Sequence, residues 1–268
     1  MNEPITTSTL PTPSSAGPSS GLLIDVRGLR AGYRDIEVVH GIDLQVRPGE
    51  IVALLGPNGA GKSTTLATIA GLLPILAGEV DVLATTHART RRRTGASVAI
   101  QSRRSGLAFV PEDRALFFGL TAREHLRLAA PKGDRSAIDD ALAPFPALQA
   151  IVDRKAGSMS GGEQQMLAVA RALAARPKVL MIDELSLGLA PIIVERLLPM
   201  VRAVCDTSGV GVLLVEQHVN AALAIADRAH VMVRGAITLS GPADAMQRDP
   251  NSLAAAYLGT NEPETLHP

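Results

Sequence analysis

The run Gly56-Pro57-Asn58-Gly59-Ala60-Gly61-Lys62-Ser63, continued by Thr64, fits the spacing G-x-x-x-x-G-K-[ST]. At average residue frequencies a chain this long matches that spacing by accident about once in a hundred times. The chemistry it suits is phosphate binding. Glycines let backbone N–H groups turn inward around a phosphate, where a Cβ would block close approach. A helix opening at Ser63 would add the partial positive charge of its N-terminus. Lys62 has the reach for the β- and γ-phosphates, and the Ser63 hydroxyl can take a place on Mg²⁺. ATP and Mg²⁺ are therefore the expected ligands. The alternative, a plain glycine-rich turn, does not account for the apolar strand Ile51–Leu55 before the loop and the helical stretch after it.

Two further clusters carry chemistry. Asp183-Glu184 follows the apolar run Val179–Ile182, and the C-terminal end of a buried strand is where ligands bind in open α/β sheets. Asp183 would hold Mg²⁺, directly or through water, and Glu184 would orient or deprotonate an attacking water. A simple helix cap at the strand end is the alternative. Met159-Ser160-Gly161-Gly162-Glu163-Gln164-Gln165 begins a helix with Ser, two glycines and free amides, with Ser160 lying 23 residues before Asp183 (183 − 160). That is a second anion site. If it lies far from Lys62 on one compact domain, both cannot hold one γ-phosphate. The economical arrangement is a head-to-tail dimer in which each Ser160 segment closes over the other subunit's ATP.

These residues need a scaffold. Ile51–Leu55, Val179–Ile182 and Val210–Val215 are continuously apolar, as central parallel strands buried on both faces should be. Ser63–Leu73 and Gly161–Ala175 have helical composition, the second stopping at Arg176-Pro177. Val231–Val233 and Ala236–Leu239 flank Arg234-Gly235 and predict a hairpin. The order of elements predicts a mostly parallel sheet with helices on both faces. Residues 1–21, rich in Pro, Ser and Thr, predict a disordered tail, 22–259 one folded domain, and 260–268 a flexible end.

Composition narrows the rest. The chain has 268 residues with 26 Lys+Arg against 26 Asp+Glu, so it has no global attraction to nucleic acid or to an anionic membrane. Aromatics are 2%, too few for a base-stacking platform. The single cysteine, Cys205, has no partner for an internal disulfide and is expected to be a buried small apolar residue. No uninterrupted apolar stretch reaches 18 residues, and the N-terminus lacks the features of a secretory signal, so a cytosolic location is expected.

The combination GPNGAGKST, MSGGEQQ and VLMIDE, with Arg171-Ala172-Leu173 after the second motif, resembles the nucleotide-binding subunit of an ABC (ATP-binding cassette) transporter from about Leu22 to Gly259. The resemblance implies an α/β P-loop NTPase fold of the ABC nucleotide-binding type. It would have a mostly parallel core sheet, an N-terminal antiparallel β-subdomain and a helical subdomain bearing the signature. It implies transport-coupled ATP hydrolysis and pairing with transmembrane permease subunits at the inner face of the cell membrane. The signature residues Ser160, Gly161, Gly162 and Glu163 would bind the nucleotide of a second cassette, a copy of this chain or a sister ATPase.

Ser186-Leu187-Gly188-Leu189-Ala190-Pro191, Val215-Glu216-Gln217 and Ala256-Tyr257-Leu258-Gly259 are similar to the smaller ATPase subunit of branched-chain amino acid importers. That branch implies an extracytoplasmic solute-binding protein in the same system. Val110-Pro111-Glu112-Asp113-Arg114 resembles its V-P-E-G-R segment, so Glu112 would give an oxygen to Mg²⁺ where most ABC ATPases use Gln. Tyr33, 23 residues before Gly56 (56 − 33), matches the aromatic that stacks on adenine, with core filling as the alternative. The adjacent Phe117 and Phe118 suit permease docking or, equally, the core. Counting back ten from Asp227, the γ-phosphate switch histidine of the family falls on Gln217, with His218 next to it.

The chain departs from the common pattern at Leu185, where Pro is usual, and at Ala190, where many cassettes have Asp. Residues 86–106 carry Arg89, Arg91, Arg92, Arg93, Arg103 and Arg104 and do not resemble the family. They are expected to form a solvated loop of the antiparallel subdomain rather than a nucleic-acid patch. A lipid- or polysaccharide-export ATPase and a soluble cassette ATPase of Fe–S assembly or DNA repair are the other readings of the whole.

Overall fold

The computed structural model describes residues 21–34, 36–88, 95–258 and 264–265. Of the expected N-terminal tail only Gly21 lies within them, and Arg89, Arg91, Arg92 and Arg93 lie outside.

The strands are β1 (Ile24–Tyr33), β2 (Ile36–Val46), β3 (Ile51–Leu55), β4 (Ile75–Val82), β5 (Thr85–Ala88), β6 (Leu107–Val110), β7 (Val179–Asp183), β8 (Gly211–Glu216), β9 (Arg228–Val233), β10 (Ala236–Pro242) and β11 (Glu264–Thr265). The helices are α1 (Lys62–Ile69), α2 (Gly95–Ser105), α3 (Ala122–Ala129), α4 (Ser136–Leu142), α5 (Pro146–Gln149), α6 (Gly161–Ala174), α7 (Pro191–Ser208), α8 (Val219–Leu223), α9 (Ala243–Arg248) and α10 (Pro250–Leu258). Strands β9, β3, β8, β7 and β6 run parallel in that order, and β10 extends the sheet antiparallel to β9. A separate antiparallel sheet has the order β2-β1-β4-β5.

The apolar runs are continuous because the central sheet is covered on both sides. Side chains of a strand alternate between faces. Ile51, Ala53 and Leu55 join Leu180, Ile182, Val212 and Leu214 in a core shared with α6 and α7. Val52 and Leu54 join Met181, Leu213 and Val215 in a second core, closed by α1 and the antiparallel sheet. One face is thus covered by helix α1 together with the antiparallel sheet, the N-terminal β-subdomain that the family resemblance implies. Helices α3, α4 and α5 pack on α6 to form a helical arm. Its centre holds the fully buried Leu126, Phe145, Leu148 and Leu167.

Element ends follow local chemistry. Arg234 (φ 47°) and Gly235 (φ 84°) make the β9–β10 hairpin turn, both left-handed as a two-residue type I′ turn requires. Helix α1 stops at Ile69 rather than Leu73. Gly71 turns left-handed (φ 77°), and Leu72 and Gly71 N–H groups donate to the carbonyls of Ala67 and Thr68, an arrangement that terminates a helix. Within the arginine-rich stretch, residues 95–105 form helix α2, not a loop. That helix buries Ser102 against His87 at 3.2 Å and leaves Arg103 and Arg104 exposed. In the C-terminal segment expected to be flexible, Glu264–Thr265 pair in parallel with β10.

Candidate nucleotide site

The phosphate loop is held open by backbone that only glycine supplies. At Gly56 φ is 150°, and a Cβ there would stand 2.1 Å from the Met232 carbonyl oxygen. Gly59 and Gly61 are also left-handed, at φ 76° and 105°. Ala60 turns into the core and fixes the loop to the hairpin through the Gly235 N–H, 2.9 Å from its carbonyl. Lys62 opens α1 and is 4% exposed. Its Nζ donates to the carbonyls of Gly56 (2.9 Å) and Pro57 (3.1 Å) and lies 3.8 Å from Glu184 Oε1. Burial lowers the proton affinity of this ammonium, and the Glu184 and Asp183 carboxylates oppose that.

Asp183 closes β7, and the Ser63 hydroxyl donates to its Oδ1 at 3.2 Å, joining positions 120 residues apart. Burial pushes the Asp183 carboxyl up to about 6; neighbouring Glu184 and Glu112 push the same way, while Ser63 and Lys62 hold it down. Glu184 is the strained member of the pair. Its φ is 52°, a conformation that costs a non-glycine residue about 1–3 kcal/mol. Its N–H donates to Val215 O on β8 at 3.0 Å, so the chain breaks away from β7 while staying anchored to the sheet. The turn delivers the carboxylate to Lys62.

Asn58, Gly59, Gly61, Lys62, Ser63 and Thr64 line one cavity of about 330 Å³ together with Glu112, Glu184 and Gln217. His218 is not part of its lining; it is exposed and caps α8. An adjoining cavity of about 650 Å³ is lined by Tyr33, Ser63, Glu112 and Asp183 among others. Tyr33 is 52% exposed, so the core-filling alternative is overturned. Pro57 is exposed, and Gly56 and Pro57 border the site through the carbonyls that hold Lys62.

Mg²⁺ fits the donors present. Ser63, Asp183 and Glu112 offer only oxygen, the donor Mg²⁺ prefers. Among the described residues no group of three or more His, Cys, Asp or Glu converges as a metal cage. That suits an ion held by one or two carboxylates plus substrate phosphates. The raised proton affinity of Asp183 marks a buried negative charge that a divalent cation would neutralise.

The signature segment lies elsewhere: Ser160, Gly161, Gly162 and Glu163 line neither cavity. Ser160 is the N-cap of α6, accepting from Glu163 N at 3.3 Å, and Glu163 Oε2 accepts from Ser160 N at 2.7 Å. The Glu163 carboxylate is committed to this reciprocal cap and to Arg154 at 3.2 Å. Two arginines, unassigned by sequence reasoning, fasten α6 to the Glu112 loop. Arg114 donates to Gln165 Oε1 (2.7 Å) and Gln164 Oε1 (3.0 Å), and Arg171 donates to the carbonyls of Arg114 (2.9 Å) and Ala115 (2.5 Å). Their signal was in the motifs themselves, two residues after Glu112 and eleven after Ser160 (171 − 160).

A third cavity, of about 570 Å³, opens between the core sheet and the helical arm and is lined by Leu72, Phe109, Phe117, Leu128, Arg103 and Arg171 among others. Phe117 and Phe118 are 64% and 63% exposed, which removes the core alternative for both. Cys205 is buried, and burial pushes its thiol up to about 11, as an inert core residue should show.

A model of the ABC transporter family matches residues 39–186. Over 231 residues the chain is 39% identical to the high-affinity branched-chain amino acid transport ATP-binding protein BraG of Pseudomonas aeruginosa, covering 85% of this chain and 95% of that protein. It is 36% identical over 224 residues to the probable branched-chain amino acid transport ATP-binding protein LivF of Archaeoglobus fulgidus, covering 81% and 90%. A solved structure of the ATP-binding subunit of an ABC transporter superposes with a TM-score of 0.73 at 28% identity, covering 88% of this chain and 98% of that one.

Proposed function

The chain belongs to the ABC transporter family as an ATP-binding, ATP-hydrolysing subunit, and from that premise we propose that it powers the import of branched-chain or related amino acids. The 39% identity to BraG over most of both chains supports the solute class. The observation that carries the chemistry is the approach of Glu184 Oε1 to Lys62 Nζ, 3.8 Å, inside the cavity of the glycine loop.

In this reading Lys62 leaves the Gly56 and Pro57 carbonyls for the β- and γ-phosphates, and Tyr33 stacks on the adenine. Ser63, Asp183 and Glu112 would hold Mg²⁺. That ion would neutralise charge developing on the phosphates. Glu184 takes the proton of the attacking water, and the Gln217 amide donates to the γ-phosphate. The Ser160 segment of a second cassette, a copy or a sister subunit, covers the nucleotide from outside. ATP binding closes the pair, and phosphate release reopens it.

Among the described residues no helix is long and apolar enough to cross a membrane. In this reading a permease partner holds the chain at the inner face of the membrane, as its similarity to transport ATP-binding proteins suggests. The exposed apolar rings of Phe117 and Phe118 beside the 570 Å³ cavity suit a docked permease helix. Reconstituted with its permease in vesicles, the chain is expected to hydrolyse ATP faster when a solute-binding protein delivers leucine. No response to any branched-chain amino acid would overturn the solute assignment. The double variant Phe117→Ala, Phe118→Ala is expected to fold and bind ATP but to be lost from the purified complex; retention would move docking elsewhere.

The two switch candidates give a separate test. Gln217 lines the cavity and donates through its amide NH₂ in any protonation state, whereas His218 points away, exposed. Gln217→Ala is expected to slow hydrolysis about 10²-fold, the magnitude of an oxyanion donor. His218→Ala should leave it nearly unchanged. A larger defect in His218→Ala would shift the register by one residue.

A further inference from the structure

Glu216 ends β8 with its side chain fully buried, at a place where its strand neighbours Leu213, Leu214 and Val215 are apolar. Removing a carboxylate from water is costly unless hydrogen bonds replace the solvent. Here three neutral donors do so. Ser186 N–H donates to Oε1 at 3.0 Å, the Ser186 hydroxyl to Oε2 at 2.5 Å, and Gln217 N–H to Oε2 at 3.3 Å. Burial favours the protonated form and the three donors favour the ionised one. A Val or Leu would serve packing alone at lower cost, so the carboxylate is retained for what it joins.

What it joins are the two segments that carry the hydrolysis machinery. Ser186 lies two residues after Glu184, inside the turn that begins at the left-handed Glu184 and continues with Leu187 N–H donating to Glu184 O at 3.1 Å. Gln217 is the next residue after Glu216, and both Leu187 and Gln217 line the cavity with Lys62. We propose that Glu216 is a positioning residue for ATP hydrolysis, a buried two-oxygen clamp that holds the Glu184 turn in register with the strand end bearing Gln217. The proposal rests on the reading of Glu184 and Gln217 given above. Glu216 itself lines neither cavity at the phosphate loop.

Glu216→Gln keeps size and neutralises the group. An amide in either orientation sets an NH₂ against an N–H donor, Ser186's or Gln217's, so the clamp opens on one side. The expected result is a kcat lowered about 10–100-fold at unchanged ATP affinity, since a misplacement of about 1 Å suffices for such a loss. Ser186→Ala removes one donor and is expected to lower kcat less. The double variant should be no slower than Glu216→Gln alone, because both changes break one connection. Wild-type turnover in Glu216→Gln, or losses that multiply in the double variant, would overturn the clamp. A parallel loss of ATP affinity would also overturn it, reducing Glu216 to a general support of the fold. If Glu216→Gln does not fold, Ser186→Ala decides by the same split of kcat against affinity. Gln217→Ala separates the two levels. A slow Gln217→Ala beside a normal Glu216→Gln sinks the clamp and spares the catalytic reading. A normal Gln217→Ala sinks the reading of Gln217, while coupled losses at Glu216 and Ser186 keep the clamp, acting through Glu184.

Discussion

Glu184→Gln is expected to lower ATP turnover by about 10²–10⁴-fold, the range for loss of a positioned general base. The variant keeps the side chain's size, and its amide oxygen can still accept a hydrogen bond from water. What it loses is the basicity of the carboxylate, since an amide oxygen accepts a hydrogen bond but does not take the proton. The strained backbone at Glu184 (φ 52°) is anchored through its N–H to Val215 O, 3.0 Å away, and the substitution disturbs neither. ATP affinity is therefore expected to hold, measured by fluorescence titration beside a steady-state phosphate-release assay. Near-normal release would remove Glu184 from the role of base.

Lys62→Ala attacks binding instead. Among the described residues lining the glycine-loop cavity Lys62 is the one cation, at 2.9 and 3.1 Å from the carbonyls of Gly56 and Pro57. Two charged hydrogen bonds to phosphate, at about 1.5–3 kcal/mol each, correspond to a loss of about 10²–10⁴ in ATP affinity. Turnover should fall with it. The fold has less at stake. The loop's shape rests on Gly56, Gly59 and Gly61 and on the Ala60–Gly235 bond, none of which needs the ammonium. A titration that finds wild-type affinity would show that Lys62 contacts no phosphate.

How far these roles were legible depends on how local their physics is. The glycine loop was readable because close approach of backbone to phosphate demands glycine at fixed spacing, and Gly56 has no room for a Cβ. Strands β3, β7 and β8 were readable because burial on both faces leaves continuous apolar runs. Strands β1 and β2 were less so, since register shifts between Val26 and Leu29 and between Ala31 and Gly32 break their alternation. Helix α2 was misread from its charge: the arginines suggested solvated loop, yet Ser102 against His87 gives it a buried side. The Ser160-x-x-Glu163 cap was visible as a helix start, whereas its distance from Lys62 is a property of the fold. Glu216 passed without a role because nothing in a strand-end glutamate announces that Ser186, 30 residues away, will meet it.

The same layout explains how binding could move the molecule. The Glu112 loop borders the nucleotide cavity at one end, and at the other Arg114 and Arg171 tie it to the signature helix α6. A shift of Glu112 on binding would be passed to the arm that bears Ser160 and borders the 570 Å³ cavity through Arg171. The backbone from Glu112 to Arg114 and the hydrogen bonds of Arg114 and Arg171 thus connect the site to the signature helix and to the third cavity.

The central claim is that Lys62 holds the γ-phosphate which Glu184 exposes to water. The most direct measurement is the identity of the nucleotide retained by Glu184→Gln after incubation with excess Mg-ATP and rapid removal of the free pool. The account predicts intact ATP, held in a species of roughly twice the 28.0 kDa chain mass when a second cassette is present. Bound ADP, formed at the wild-type rate, would contradict it.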